Sequence, residues 1–136
     1  MERVLEVCES KRVEMLLIAG DLFHRQPLRR ELKELNYLFS KLSTTQVVMI
    51  AGNHDYLKKD SYYRTFSWAE NVHMILDREI GCVEFPAYNL AVYGMSYDAK
   101  QISEACYQDA IAQRRQPYEI LLAHGGDESH IPIQKE

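Results

Sequence analysis

The sequence lacks the features that mark a membrane-spanning, exported or disulfide-rich protein. No apolar run approaches the roughly 18 residues of a membrane span. The N-terminal stretch MERVLEVCESKR is charged and has no apolar signal block. Cys8, Cys82 and Cys106 are far apart and odd in number, which favours reduced core cysteines over a disulfide framework. These absences predict a cytoplasmic protein with no membrane partner.

Positive charge is also scarce. Sixteen Lys and Arg residues face twenty Asp and Glu residues, for a net charge of -4. That balance argues against a broad basic surface for nucleic acid. It does not exclude a nuclease, because bound metal cations would add positive charge where substrate phosphates lie. A length of 136 residues with 46% hydrophobic content predicts one globular domain over residues 1–136.

Hydrophobic patterning predicts an α/β domain. The runs EMLLIAG, QVVMIAG and YEILLAHGG are predicted as buried strands, NVHMIL as a further strand, and IGCVEFPAYNLAVYGMSY as an antiparallel hairpin. Helices are predicted over ERVLEVCESKR with Val4, Leu5 and Cys8 on its apolar face, from about Leu28 to Leu42, over DSYYRTFSWAE with Asp60 as N-cap, and over KQISEACYQDAIAQRR. Strands that alternate with helices indicate parallel pairing through crossovers.

Polar side chains directly follow three of the predicted strands. Asp21 follows LLIAG, Asn53 and His54 follow VVMIAG, and His124 follows ILLA. If these strands are neighbours in one sheet, their carboxyl ends meet at one edge. A carboxylate, an amide oxygen and an imidazole would then share a small volume that suits a divalent ion such as Mn, Fe or Zn.

Three motifs in this order resemble those of the calcineurin-like metallophosphoesterase family: GDLFH at 20–24, GNHD at 52–55 and LLAHGG at 121–126. LLIAGDLFH followed by IAGNHDY is most similar to the DNA-repair exonuclease branch. The resemblance implies a partial αββα sandwich with mixed sheets flanked by helices. It also implies metal-dependent phosphodiester hydrolysis as part of a DNA-repair exonuclease. A phosphoesterase for small nucleotides or phosphoproteins, and a truncated or degenerate non-catalytic scaffold, remain as alternatives.

The resemblance also implies roles for individual residues. Asp21 matches a carboxylate that bridges two metals, and Asn53 and His124 match ligands of the second metal. His54 matches the histidine that contacts the scissile phosphate. Asp55 is expected to orient the His54 ring by accepting its N–H.

Further residues are predicted to contact substrate. These are His24, Lys58, Lys59 and Gly125, and the glycines at 52, 125 and 126 are expected to let backbone approach the phosphate. Basic and aromatic side chains interleave in YLKKDSYYRTF, a pattern suited to phosphate contact and base stacking. A solvated helix with inward tyrosines is the alternative. His73 is predicted to be a hydrogen-bonded strand histidine, and His130 a loop residue.

Two family motifs have no counterpart in the sequence. No Asp-x-His precedes Gly20, and no Gly-His-x-His follows His124. We therefore expect a truncated segment of a longer nuclease with at most one well-formed metal site, Mn by resemblance, and with little activity by itself. The expected partners are DNA or another phosphodiester and an ATPase subunit of the parent protein. Exposed sheet edges are expected to favour self-association.

Overall fold

The computed structural model contains two three-stranded sheets and describes residues 1–77, 79–99 and 114–125. The first sheet is parallel and has the order β1 (Met15–Ala19), β2 (Gln46–Ile50), β3 (Val72–Met74). The second has the order β4 (Gly81–Phe85), β5 (Leu90–Gly94), β6 (Tyr118–Leu122). β4 and β5 form the expected antiparallel hairpin, whereas β6 runs parallel to β5.

Helices α1 (Glu2–Ser10) and α2 (Arg29–Ser40) cover the outer face of the first sheet. Side chains of β2 alternate between the two layers that enclose it. Val47 and Met49 pack among the helices, while Val48 and Ile50 pack against the second sheet. The expected class, a mixed α/β sandwich, is therefore confirmed. The helix predicted over residues 100–115 lies largely outside the described residues.

The apolar stripe of α2 packs on the sheet as the sequence predicts. Its buried side chains are Leu32, Leu35 and Phe39, spaced by three and four residues along one helix face. Leu28, expected in this stripe, is 41% exposed because it is the N-cap residue and precedes the first turn. The Glu31 carboxylate accepts the N–H of Leu28 at 2.9 Å, which satisfies one of the free donors at the helix start.

Two details of the predicted helices are wrong. The segment after Asp60 forms only a 3-10 turn, Tyr62–Arg64, and its N-cap is Ser61. The hydroxyl of Ser61 is buried and accepts the N–H of Tyr63 at 3.2 Å, whereas Asp60 is exposed and lies 3.6 Å from Lys58 Nζ. In α1, Leu5 and Cys8 are buried but Val4 is 45% exposed, because it lies on the solvent side of the helix.

The prediction of three buried strands holds only for β2. β1 is partly buried, and three of the five residues of β6 are exposed, including Ile120 and Leu121. Among the described strands both lie at a sheet edge, so an apolar run there does not imply burial on both faces. None of the described helices is long and apolar enough to cross a membrane.

Histidine and cysteine outside the site behave as structural residues where they are described. His73 Nε2 lies 2.9 Å from Gln46 Oε1, as expected for a hydrogen-bonded strand histidine. Cys8 and Cys82 are free thiols, in agreement with the expectation of reduced cysteines. Cys106 and His130 lie outside the described residues.

Candidate metal centre

An open cleft of about 410 Å³ lies where β1, β2 and β6 end, and its lining residues are Ala19, Asp21, Asn53, His54, Ala123, His124 and Gly125. Asp21 and Asn53 follow strands of the first sheet, but His124 follows β6 of the second. The expectation that all three strands share one sheet is therefore wrong. The side chains still meet, because β1 and β6 are in contact and their carboxyl ends approach each other.

Asp21 is the centre of the cluster. Its Oδ1 accepts the backbone N–H of His54 at 2.9 Å. Its Oδ2 lies 2.9 Å from Nδ1 of the same histidine and 3.4 Å from His124 Nε2. Burial favours the neutral acid, but the hydrogen bonds from His54 and the nearby imidazoles outweigh it and lower the pKa of the Asp21 carboxyl. The site therefore holds a carboxylate anion.

The orientation of His124 follows from a backbone contact. Its Nδ1 lies 2.7 Å from the carbonyl oxygen of Ala19, which can only accept, so Nδ1 carries the proton. When Nε2 carries no proton it can present its lone pair to an ion, whereas without an ion it faces two oxygen acceptors. That nitrogen lies 2.8 Å from Asn53 Oδ1 and 3.4 Å from Asp21 Oδ2. Three electron-pair donors thus converge on one volume.

This donor set fits a divalent ion. Ligands with bonds of about 2.0–2.2 Å lie roughly 3 Å from one another around a shared ion, close to the separations observed here. Among the described residues, no group of three or more His, Cys, Asp and Glu side chains is arranged to hold a metal. The candidate ligand set of the described residues therefore needs the amide oxygen of Asn53 in addition to Asp21 and His124. Their role as ligands stays a prediction.

Two glycines permit the close contact between the loops that follow β1 and β2. A Cβ on Gly52 would lie 2.3 Å from Asp21 Oδ1 and 2.6 Å from Asp21 N. A Cβ on Gly20, whose φ is +89°, would lie 2.7 Å from His124 Nδ1. Gly52 thus makes room for the Asp21 carboxylate, and the expected approach of its backbone to a substrate phosphate stays a prediction. Gly125 lines the cleft, and Gly126 lies outside the described residues.

Asp55 does not make the expected contact with the His54 ring. Its side chain is fully buried, and Oδ1 accepts the N–H groups of Asp21 at 3.1 Å and Gly52 at 2.8 Å. Oδ2 accepts the N–H of Phe23 at 3.3 Å and the hydroxyl of Tyr63 at 2.8 Å. The His54 ring contacts Asp21 instead, because consecutive side chains diverge and Asp55 turns inward.

The predicted substrate-contact residues lie at different distances from the centre. His54 lines the cleft and its side chain is 48% exposed, so it is accessible to a substrate. His24 is exposed, with its ring centroid 6.2 Å from that of His54. Lys58 lines a second cleft of about 340 Å³ with Gln26, Pro27, Leu28, Asp60 and Tyr62, and Lys59 is exposed. Neither lysine lines the candidate metal centre.

The tyrosine-rich segment has one inward and one exposed tyrosine among those of its 3-10 turn, and its predicted contact with phosphate and bases stays a prediction. Tyr63 packs inward and is 2% exposed, whereas Tyr62 is 45% exposed. The Arg64 guanidinium donates to the carbonyl oxygens of Lys58 at 2.9 Å and Leu57 at 2.6 Å. Arg64 therefore stabilises the loop after the GNHD motif.

The sequence did not indicate the contacts by which the segment after β5 stabilises Ala51 and His124 beside the cleft. Ser96 Oγ accepts the N–H of Ala51 at 2.9 Å, and the N–H of Tyr97 donates to the carbonyl of Ala51 at 3.0 Å. The Tyr97 hydroxyl donates to the His124 carbonyl at 3.3 Å, and the two rings pack edge to face at 5.1 Å. Nothing in the stretch GMSY signals this role, because the contacts join residues distant in sequence.

The fold is a mixed α/β sandwich in which the ends of β1, β2 and β6 meet at one polar cleft. A family model described as calcineurin-like phosphoesterase matches residues 1–134. The chain therefore belongs to the calcineurin-like phosphoesterase family, whose members generally bind divalent metal ions. No curated protein matches the chain.

Proposed function

We propose that this chain carries out, or contributes to, metal-dependent hydrolysis of phosphodiester bonds in DNA, as a member of the DNA-repair exonuclease branch. The observation that carries the proposal is the convergence of Asp21, Asn53 and His124 beside the exposed ring of His54. Family membership supports phosphoester hydrolysis. The motifs LLIAGDLFH and IAGNHDY support the exonuclease branch, with Mn²⁺ as the metal and an ATPase subunit as partner.

The three candidate ligands share one task. Asp21, Asn53 and His124 would hold one divalent ion through His124 Nε2 and the two oxygens that lie 2.8 Å (Asn53) and 3.4 Å (Asp21) from it. When bound, such an ion lowers the pKa of a coordinated water and offsets the charge that develops on the phosphoryl oxygens. Because Asp21 supplies the set's one anionic side chain, we expect the chain by itself to bind the ion weakly and to turn over slowly.

In this proposal His54 exchanges a proton with the substrate. The Asp21 carboxylate accepts from Nδ1 of His54 at 2.9 Å, which orients the ring and leaves Nε2 for a phosphate or leaving-group oxygen. The backbone N–H of the same residue donates to the other oxygen of Asp21. The carboxylate thus fixes both the backbone and the ring of His54.

The test measures turnover of the purified chain with added Mn²⁺ above pH 6.5. The substrates are double-stranded, single-stranded and nicked DNA, bis-p-nitrophenyl phosphate as a diester, and p-nitrophenyl phosphate as a monoester. We expect slow, Mn²⁺-dependent cleavage of diesters that falls by about 10²–10⁴-fold in His54→Ala, the range for loss of a general acid or base. His73→Gln, a histidine change in β3, is the matched control and should retain full activity.

Two results would refute the proposal. Cleavage of the monoester with no cleavage of any DNA substrate or of bis-p-nitrophenyl phosphate would assign the chain to small phosphoesters or phosphoproteins. Absence of Mn²⁺-dependent turnover on every substrate, together with absence of Mn²⁺ binding by calorimetry, would support the scaffold alternative.

A further inference from the structure

The carboxylate of Asp55 joins the two loops that carry the metal-centre residues. One oxygen, Oδ1, accepts N–H groups from both loops, that of Asp21 after β1 and that of Gly52 after β2. The separation of the loops is therefore fixed through a single buried atom. Phe23 N–H adds a third backbone donor at Oδ2.

The loop after β1 needs such a restraint. Asp21 has φ of +53°, in the left-handed region that is unfavourable for residues with a side chain, and Gly20 before it has φ of +89°. A backbone in this conformation persists only where its surroundings hold it in place. The bond from Asp21 N–H to Asp55 is the contact that holds the peptide group next to the metal-binding carboxylate.

Tyr63 in turn fixes Asp55. Its hydroxyl donates to Asp55 Oδ2 at 2.8 Å, and its ring is buried in an apolar cluster with Leu32, Ala51 and Leu57. Burial, reinforced by the charge of Asp55, raises the pKa of Tyr63 far above its usual range, so the hydroxyl remains a donor. A hydrogen bond to a buried charged group is among the stronger ones in proteins.

We propose that Tyr63 is a positioning residue of the metal centre, which acts through Asp55 to set the distance between the Asp21 loop and the Gly52–Asn53 loop. The inference deepens the proposed function and rests on it in one respect, the use of Asp21, Asn53 and His124 as ion ligands. Tyr63 itself does not line the cleft. Its effect on metal affinity is therefore indirect, through geometry.

The test compares Tyr63→Phe with two controls in the full chain. Tyr62→Phe removes the hydroxyl of the adjacent, exposed tyrosine. Leu32→Val trims the apolar cluster that surrounds the Tyr63 ring but leaves the hydroxyl bond intact. For each variant, calorimetry gives the Mn²⁺ affinity and denaturation gives stability. Amide hydrogen exchange by NMR, on the metal-free chain, reports the N–H groups of Asp21 and Gly52.

We expect Tyr63→Phe to weaken Mn²⁺ binding by about three- to tenfold, somewhat less than the 10–100-fold typical of groups bonded directly to metal ligands. Exchange at the Asp21 and Gly52 amides should accelerate, because Asp55 loses its fixed position. Tyr62→Phe should match the parent chain in every measurement. Leu32→Val should lower stability while Mn²⁺ affinity and the two amides stay unchanged.

A lower denaturation midpoint for Tyr63→Phe, with parental Mn²⁺ affinity and parental amide exchange, would overturn the inference and leave Tyr63 a core residue only. Absence of Mn²⁺ binding in the parent chain, together with absence of Mn²⁺-dependent turnover, would instead refute the proposed function. In that case the exchange rates at Asp21 and Gly52 still decide whether Tyr63 fixes the loops.

Discussion

Replacement of Gly52 by alanine should damage both the candidate metal centre and the fold. The Cβ introduced by Gly52→Ala would lie 2.3 Å from Asp21 Oδ1, whereas real Cβ atoms essentially never approach other atoms closer than 3.0 Å. The backbone cannot relieve this contact easily, because the same Cβ lies 2.6 Å from Asp21 N. The Asp21 carboxylate must therefore move.

The size of the shift sets the expected loss. Even the 3.0 Å limit requires about 0.7 Å of displacement between the two groups, while a metal–ligand distance tolerates only about 0.2 Å. We expect Mn²⁺ affinity to fall by roughly tenfold or more, since even outer-shell substitutions cost about 10–100-fold. Overpacking should reduce the free energy of unfolding by about 1–3 kcal/mol.

Calorimetric titration with Mn²⁺ and urea denaturation together check this prediction. Gly94→Ala is the control, because its Cβ would lie 3.1 Å from Ile50 Cγ2 and 3.2 Å from Ile75 Cδ1, between the two sheets. It should lower stability without a change in Mn²⁺ affinity. Parental affinity in Gly52→Ala would show that the reasoning from Asp21 is wrong.

Three further predictions concern stability and association. Leu35 is 7% exposed, so Leu35→Ala should lower the free energy of unfolding, measured in urea, by about 2–5 kcal/mol. The control Val4→Ala, at an exposed position of α1, should change it by no more than about 0.5 kcal/mol. Equal denaturation midpoints for the two variants would place the apolar stripe of α2 in solvent. Burial lowers the pKa of His73 below 6.5, so this histidine takes up a proton in the unfolded chain before it does so in the folded one. The free energy of unfolding should therefore decline as the pH falls from 6.5 through the lowered pKa. If His73→Gln does not flatten this pH dependence, the prediction is wrong. The exposed apolar residues of β6 should make the chain self-associate as its concentration rises, which light scattering measures. Leu121→Lys should reduce this self-association. A parent chain that stays monomeric at all concentrations would rule the prediction out.

Local patterns predicted the strands and the residues that follow them, but not the sheets to which the strands belong. Asp21, Asn53 and His124 each follow a similar apolar run, so sequence alone treats the three strands as equivalent. The structure places the strand before His124 beside the hairpin strand β5. That choice depends on packing between distant segments, which no window of the sequence contains.

The predicted role of Asp55 was wrong because adjacency in the sequence was taken to imply contact between side chains. Asp55 follows His54 directly, yet it is fully buried and binds backbone groups from two loops. Gly52 has a further role that the sequence did not indicate, because its missing side chain leaves room for the Asp21 carboxylate. The hydrogen bond from Tyr63 to Asp55 could not be predicted from the sequence. A buried tyrosine after a loop has the same sequence pattern whether or not its hydroxyl has a partner.

The position of His124 after the last strand of the second sheet would give an ion at the candidate centre a mechanical role. Asn53 extends from the first sheet and His124 from the second, so an ion held by both would join the two sheets across their carboxyl ends. Binding that occurs only when both sheets are in place raises the free energy of unfolding as the ion concentration rises. Chelation would then loosen the interface between the sheets, and local opening at the β6 edge would be a route by which the ion leaves.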